Sequence, residues 1–212
     1  MLSDFDKKII EWWRNSGRRF PWRETRDAYG VFIAEILLHR TRAENVARVY
    51  PKFRERFPDL ASVAGADLED ILSTCRPLGL TWRFGLLKQA ATEIENRYNG
   101  RIPLDRKELA SLPGIGDYIS SAISVFAGGS REELIDTNTI RVICRISGII
   151  VNDGIRRQRW VREMYSRLMD HADPVAFAYS MIDLGSLICR PRDPLCGDCP
   201  VNELCNTYSR TA

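Results

Sequence analysis

Lysine and histidine are scarce in this 212-residue chain: 5 Lys and 2 His stand beside 26 Arg. Net charge is also small, at +3, so bulk charge says little about partners. No uninterrupted apolar run reaches the roughly 20 residues a membrane-spanning helix needs. The first eight residues, Met1-Leu2-Ser3-Asp4-Phe5-Asp6-Lys7-Lys8, lack the apolar stretch of a secretory signal. These absences lead us to expect a cytoplasmic protein, nucleoid-associated if prokaryotic, with no membrane partner. Internal repeats and low-complexity linkers are missing too, so any second domain must pack tightly on the first. Convincing two-residue alternation is absent apart from the short Gly148-Ile149-Ile150-Val151, which excludes a sheet-based class. What remains is ordinary globular composition, 44% hydrophobic and 28% charged. A chain of this length buries roughly 70% of its unfolded surface and needs no staples. The Arg preference suits phosphate and base edges. It is equally what a genome bias or thermal adaptation leaves behind.

The periodicity is helical almost throughout. Residues 5–16 place Phe5, Ile9, Ile10, Trp12 and Trp13 at helical spacing, and Arg18 to Trp22 breaks the pattern. Residues 28–38 are apolar. Residues 43–57 put Val46, Val49, Tyr50 and Phe53 on one face, and Pro58 closes that segment. Asp67 is placed to cap a helix holding Leu68, Ile71 and Leu72. A longer amphipathic helix spans 82–98 and stops at Asn99-Gly100. Asp105 is an expected N-cap, and further helices fit 117–127, 138–147, 158–171 and 174–187. The fold class is all-α.

Four of the six cysteines crowd into the last part of the chain, as Cys189-x6-Cys196-x2-Cys199-x5-Cys205. Cys75 and Cys144 stand alone in apolar surroundings and read as buried free thiols. Four thiolates in one short loop can wrap a metal centre. A disulfide framework is disfavoured in a cytosolic chain. Structural zinc usually takes two close pairs separated by a longer stretch. A cubane wants ligands spread around a larger object, which unequal intervals suit. On chemistry alone iron–sulfur stands modestly ahead of zinc, and both remain open.

A second constellation is Leu112-Pro113-Gly114-Ile115-Gly116-Asp117-Tyr118. Proline and two glycines here make a tight turn whose N–H groups face outward at the start of the next helix. Such a place can hold an anion such as phosphate. Leu109, Leu112, Ile119 and Ile123 would pack the flanking helices; a plain helix–helix turn reads the same way. Eighteen residues past Tyr118 stands Asp136, within Leu134-Ile135-Asp136-Thr137-Asn138-Thr139-Ile140-Arg141-Val142. By itself an Asp in this setting is often only an N-cap.

Hairpin, aspartate and four-cysteine loop, in that order, resemble the helix–hairpin–helix DNA glycosylases of the endonuclease III/MutY superfamily. Phe20-Pro21-Trp22-Arg23 and Ala34-Glu35-Ile36-Leu37-Leu38-His39-Arg40-Thr41 match segments of the same superfamily. The resemblance covers nearly all of residues 9–205. It implies a [4Fe-4S] cluster held by Cys189, Cys196, Cys199 and Cys205, most simply a structural one. It implies two helical lobes, residues 23–129 with the hairpin and residues 1–22 plus 130–212 with the cluster. DNA would lie across the cleft, with Asp136 at the junction.

The position two residues beyond Gly116 separates the branches. Bifunctional enzymes carry a nucleophilic Lys there; this chain has Tyr118, and a phenol cannot form the Schiff base that strand cleavage requires. Adenine glycosylases of the MutY type usually have Ser and a further domain that reads 8-oxoguanine; with seven residues after Cys205, that domain is expected to be absent. Tyr118 in the hairpin Leu112-Pro113-Gly114-x-Gly116-x-Tyr118, Glu35-Ile36-Leu37-Leu38-x-Arg40-Thr41 and Asp136-x-Asn138 with Arg141-Val142 resemble the thymine–DNA mismatch branch. The resemblance therefore implies a monofunctional, monomeric glycosylase. It would remove thymine or uracil opposite guanine in double-stranded DNA.

Roles follow from the same likeness. Asp136 would stabilise the sugar cation, Glu35 would hydrogen-bond or protonate the leaving base, and Tyr118 would bound it. Gly114, Ile115 and Gly116 would hold the backbone through their N–H groups. Leu80 would fill the emptied stack, and His39 or Arg40 would meet the orphaned base. His39 and Trp82 depart from the family pattern and leave the opposite base open. An adenine or oxidised-pyrimidine glycosylase, or a DNA-binding module without catalysis, are the alternatives.

Overall fold

The computed structural model describes residues 4–152 and 154–210. All regular structure among them is helical: eleven α-helices, short 3-10 segments and one π-helical turn. The chain divides into two compact units. One is Arg19–Gly128; the other combines the chain up to Arg18 with everything from Gly129 onward.

The Arg19–Gly128 unit is built around α2 (Ala28–Leu38). Nine of its eleven residues are buried, as a helix apolar on all sides must be. Asp27 starts it by accepting from the N–H groups of Tyr29 and Gly30 at 3.3 and 2.9 Å, and Arg54 pairs with the same carboxylate at 2.7 Å. Helix α3 (Ala43–Arg56) buries Val46, Val49, Tyr50 and Phe53, the face its periodicity marks. Two short helices follow. A reciprocal Asp59/Ser62 box caps α4 (Leu60–Gly65). Asp67 stands at the N-cap of α5 (Leu68–Cys75), but its carboxylate accepts no bond there, contrary to the expectation. Helix α6 (Trp82–Tyr98) ends where Asn99 and Gly100 turn to φ 50° and 73°. Asp105 caps α7 (Arg106–Ala110) through the N–H groups of Lys107 and Glu108. The hairpin then leads into α8 (Asp117–Phe126), which packs on α2. Leu109, Leu112, Ile119 and Ile123 are buried between the hairpin helices.

The second unit gathers α1 (Phe5–Ser16), α9 (Thr137–Ser147), α10 (Arg159–Met169) and α11 (Pro174–Asp183). Its aromatic core sets Phe177 edge-on to both Phe5 and Tyr165, and Trp13 stacks on Tyr179. The Asp183 carboxylate is fully buried. The Arg18 guanidinium and backbone N–H meet it at 2.7 and 2.9 Å, which offsets the burial of its charge. Past Asp183 the chain continues as one π-helical turn, Leu184–Ile188, where the sequence suggests an unbroken helix. Gly148 (φ 69°) ends α9, and Ile149-Ile150-Val151 emerge into solvent without a strand partner. Cys75 and Cys144 are buried free thiols, as expected.

Candidate active site

Asp136 sits at the N-cap of α9. Its Oδ1 accepts the Thr139 N–H at 2.7 Å, and the Asp136 N–H donates to Thr139 Oγ1 at 2.9 Å. The simple capping reading is thus true of one oxygen. The other, Oδ2, accepts Asn138 Nδ2 at 3.0 Å. Asn138 Oδ1 in turn accepts Arg141 Nη2 at 2.8 Å. Arg141 also donates to the carbonyls of Gly185 and Cys189, at 2.6 and 2.7 Å. A hydrogen-bonded chain therefore runs from the first cysteine of the loop to the carboxylate. Gly185 makes this approach possible: a Cβ there would lie 2.6 Å from Asn138 Cβ and 3.0 Å from its Cα. In the sequence Asn138 and Arg141 serve only as marks of the likeness to the mismatch branch, and Gly185 carries no role. The spacing of Asp136, Asn138 and Arg141 along one helix start was the available signal.

The cysteine loop is tied back to the end of α9. Arg145 Nη1 donates to the Arg190 carbonyl at 2.7 Å and to Cys189 Sγ at 3.4 Å. The Arg145 carbonyl accepts from the Thr207 hydroxyl at 2.7 Å. Burial pushes the Cys189 thiol up and the Cys199 thiol up to about 11, and Cys199 feels the charges of Cys189, Cys196 and Cys205. Cys189, Cys196 and Cys205 are thus within electrostatic range of Cys199. Among the described residues, no three His, Cys, Asp or Glu side chains form a single-ion site. The donor set fits an iron–sulfur centre: four thiols held half-buried, two Arg guanidinium groups beside the first, and a loop with few buried apolar side chains.

The other candidates lie in the Arg19–Gly128 unit. Glu35 is buried on α2 with 6% exposure, so it is not a helix-surface carboxylate. Gly114 takes φ 75°, and a Cβ there would come 2.8 Å from Leu86 Cβ, so the turn can lie on α6 only as glycine. The Ile115 N–H donates to the Leu112 carbonyl at 3.2 Å, and its side chain is buried. Its expected outward N–H is consumed by the turn, which leaves Gly114 and Gly116 as the exposed backbone positions. Tyr118 is half-buried in the first turn of α8.

His39 ends α2, and its ring meets Trp82 edge-on with centroids 5.8 Å apart. Burial, then Arg83 and Arg40, hold its imidazole below the usual pKa. Arg40 and Leu80 both adopt left-handed backbone, φ 57° and 49°. Leu80 and Trp82 are 38% and 52% exposed, unusual for such side chains. His39, Trp82, Arg83 and the hairpin residues Pro113 and Gly114 line one narrow crevice. The structure thus brings His39 and the hairpin together.

Residues 33–164 match the HhH-GPD superfamily of base excision DNA repair proteins. The chain belongs to that superfamily. Within the HhH-GPD proteins it is 39% identical to a thymine-DNA glycosylase of Aeropyrum pernix, over 96% of this chain and 93% of the relative. It is 37% identical to a thymine/uracil-DNA glycosylase of Pyrobaculum aerophilum, over 97% and 92% of the two chains. Its fold matches the structure of a thermostable thymine-DNA glycosylase with TM-score 0.89 at 31% identity, covering 99% and 97% of the two.

Proposed function

We propose that this HhH-GPD protein is a monofunctional base-excision-repair glycosylase that removes thymine or uracil mispaired with guanine. The observation that carries the reading is Tyr118 in the first turn after the hairpin, in a chain 37–39% identical to thymine and thymine/uracil glycosylases along nearly its whole length. The partner is double-stranded DNA and the acting species is a monomer.

The glycosidic bond of a stacked base is out of reach, so the nucleotide must leave the duplex, at a cost of a few kcal/mol that a mismatch reduces. The exposed Gly114–Gly116 backbone at the N-terminus of α8 holds a phosphate beside the lesion. Leu80 occupies the vacated stack, and His39 or Arg40 meets the orphaned guanine. As the bond breaks, positive charge grows on the sugar, and the Asp136 carboxylate stabilises it and orients water. Glu35 is assigned to protonate the departing base, water adds hydroxide to C1′, and the proton left from that water restores Glu35. Tyr118 bounds the base. No amine stands at position 118, so the product is an intact strand with an abasic site. Cys189, Cys196, Cys199 and Cys205 would hold a [4Fe-4S] cluster. When bound, it would supply folding energy to the loop.

A base-release panel tests the reading. Labelled duplexes carrying G·T, G·U, A·8-oxoguanine or G·thymine glycol are incubated with the protein and developed with and without hot alkali. Cleavage of G·T and G·U only after alkali is expected. Cutting at thymine glycol without alkali, or release of adenine instead, overturns the reading. Binding without any abasic product leaves a DNA-binding module.

A further inference from the structure

Arg83 lies in α6, one turn beyond Leu80, with 2% of its surface exposed. Its Nη1 donates to the His39 carbonyl and to Thr41 Oγ1, the latter at 3.0 Å. These two acceptors flank Arg40, the residue in left-handed conformation. The Arg83 backbone N–H meanwhile donates to the Leu80 carbonyl at 3.3 Å, and Leu80 is also left-handed. One residue therefore ties together two strained turns, its side chain reaching a carbonyl 44 positions back along the chain. The arrangement is expensive. The guanidinium lies over the Phe84 ring at 4.9 Å, but its Nε and Nη2 have no hydrogen-bond partner, and a buried cation with donors left unsatisfied is costly. The Cys75 thiol in electrostatic range is pushed up to about 12 by burial, stays neutral, and offers no counter-charge. A fold that needed only packing here would use an apolar side chain.

We propose that Arg83 is a positioning residue for opposite-base recognition: it clamps the His39–Arg40–Thr41 turn against the Leu80 turn, and so sets the side chains that meet the orphaned base. This deepens the function proposed above and rests on it. Arg83 touches no substrate; it acts through the two turns.

Three variants test it: Arg83→Met, Arg83→Lys, and Thr41→Val, which removes one acceptor and remains informative if Arg83→Met does not fold. The first measurement is dissociation of each protein from duplexes carrying a tetrahydrofuran abasic analogue opposite guanine or opposite adenine. Arg83→Met is expected to lower the guanine preference roughly tenfold, the equivalent of one hydrogen bond to a charged group. Arg83→Lys, which keeps a cationic donor, should retain most of the preference, and Thr41→Val should lose part of it. The second measurement is proton NMR titration of the two histidines. Loss of the Arg83 charge should raise the His39 midpoint. A wild-type preference of one, an Arg83→Met preference equal to wild type, an Arg83→Lys loss as large as that of Met, or an unmoved His39 midpoint each overturns the proposal. The wild-type base-release panel judges the reaction separately. A protein that releases neither thymine nor uracil overturns the proposed function, whereas the preference ratio and the titration judge Arg83.

Discussion

Asn138 Nδ2 donates to Asp136 Oδ2 at 3.0 Å, while Thr139 N–H occupies Oδ1. The carboxylate is therefore held at both oxygens by groups of its own helix start. Its orientation is set before any ligand arrives, which is what electrostatic stabilisation of a developing cation requires.

Asp136→Asn should separate catalysis from folding. Asparagine caps a helix about as well as aspartate, so thermal stability should change little, whereas Ala at this site should lose about 1 kcal/mol. Turnover of G·T and G·U should disappear in Asp136→Asn with DNA affinity kept. Single-turnover base release at the wild-type rate would falsify the role given to Asp136.

Asn138→Ala frees one carboxylate oxygen. Removing one hydrogen bond to a charged group is worth about 1.5–3 kcal/mol, or roughly 10- to 100-fold in the chemical step. Arg141→Met should act in the same direction by leaving Asn138 unheld. Single-turnover rates at saturating enzyme read both; a fall in binding with an unchanged rate would count against this route.

Gly185→Ala should disturb two things at once. The new Cβ would meet Asn138 Cβ at 2.6 Å, so α9 and the π turn must part. The overpacking should destabilise by about 1–3 kcal/mol, measured by denaturant unfolding. The rate should fall along with stability because the Arg141 bond to Gly185 is displaced.

Asp183→Ala removes the buried carboxylate that the Arg18 guanidinium and backbone N–H meet. Breaking a buried ion pair from one side is expected to destabilise by about 3–5 kcal/mol. The check is a thermal melt at neutral pH. An unchanged melting temperature would show that the pair contributes nothing.

Tyr118→Lys installs an amine at the start of α8. The variant should nick G·U duplexes without alkali and give a borohydride-trapped adduct. Absence of the adduct in a variant that still releases uracil would show that position 118 does not reach C1′.

Much of this protein is local and could be read before any coordinates. Helix periods, the Asp105 cap, the Asn99-Gly100 stop and the Pro-Gly turn depend on neighbours a few residues away. Glu35 was legible as buried because its flanking residues are apolar on every side of a central helix. The four-cysteine spacing and Tyr118 also lie in the sequence itself, and they carry the family resemblance. Tertiary structure alone decided the rest. Arg141 reaches carbonyls 44 and 48 positions away, and Arg83 reaches the His39 turn across 44. No periodicity marks such partners, since an arginine in an amphipathic helix looks the same whether it meets solvent or a buried carbonyl. The same holds for Gly185, whose missing Cβ matters only because Asn138 stands against it, and for Ile115, whose N–H turned inward to close the hairpin. Sequence determined which residues could do the chemistry, because reactivity belongs to the side chain; tertiary structure decided which of them are held in place, because restraint comes from groups far apart in the chain.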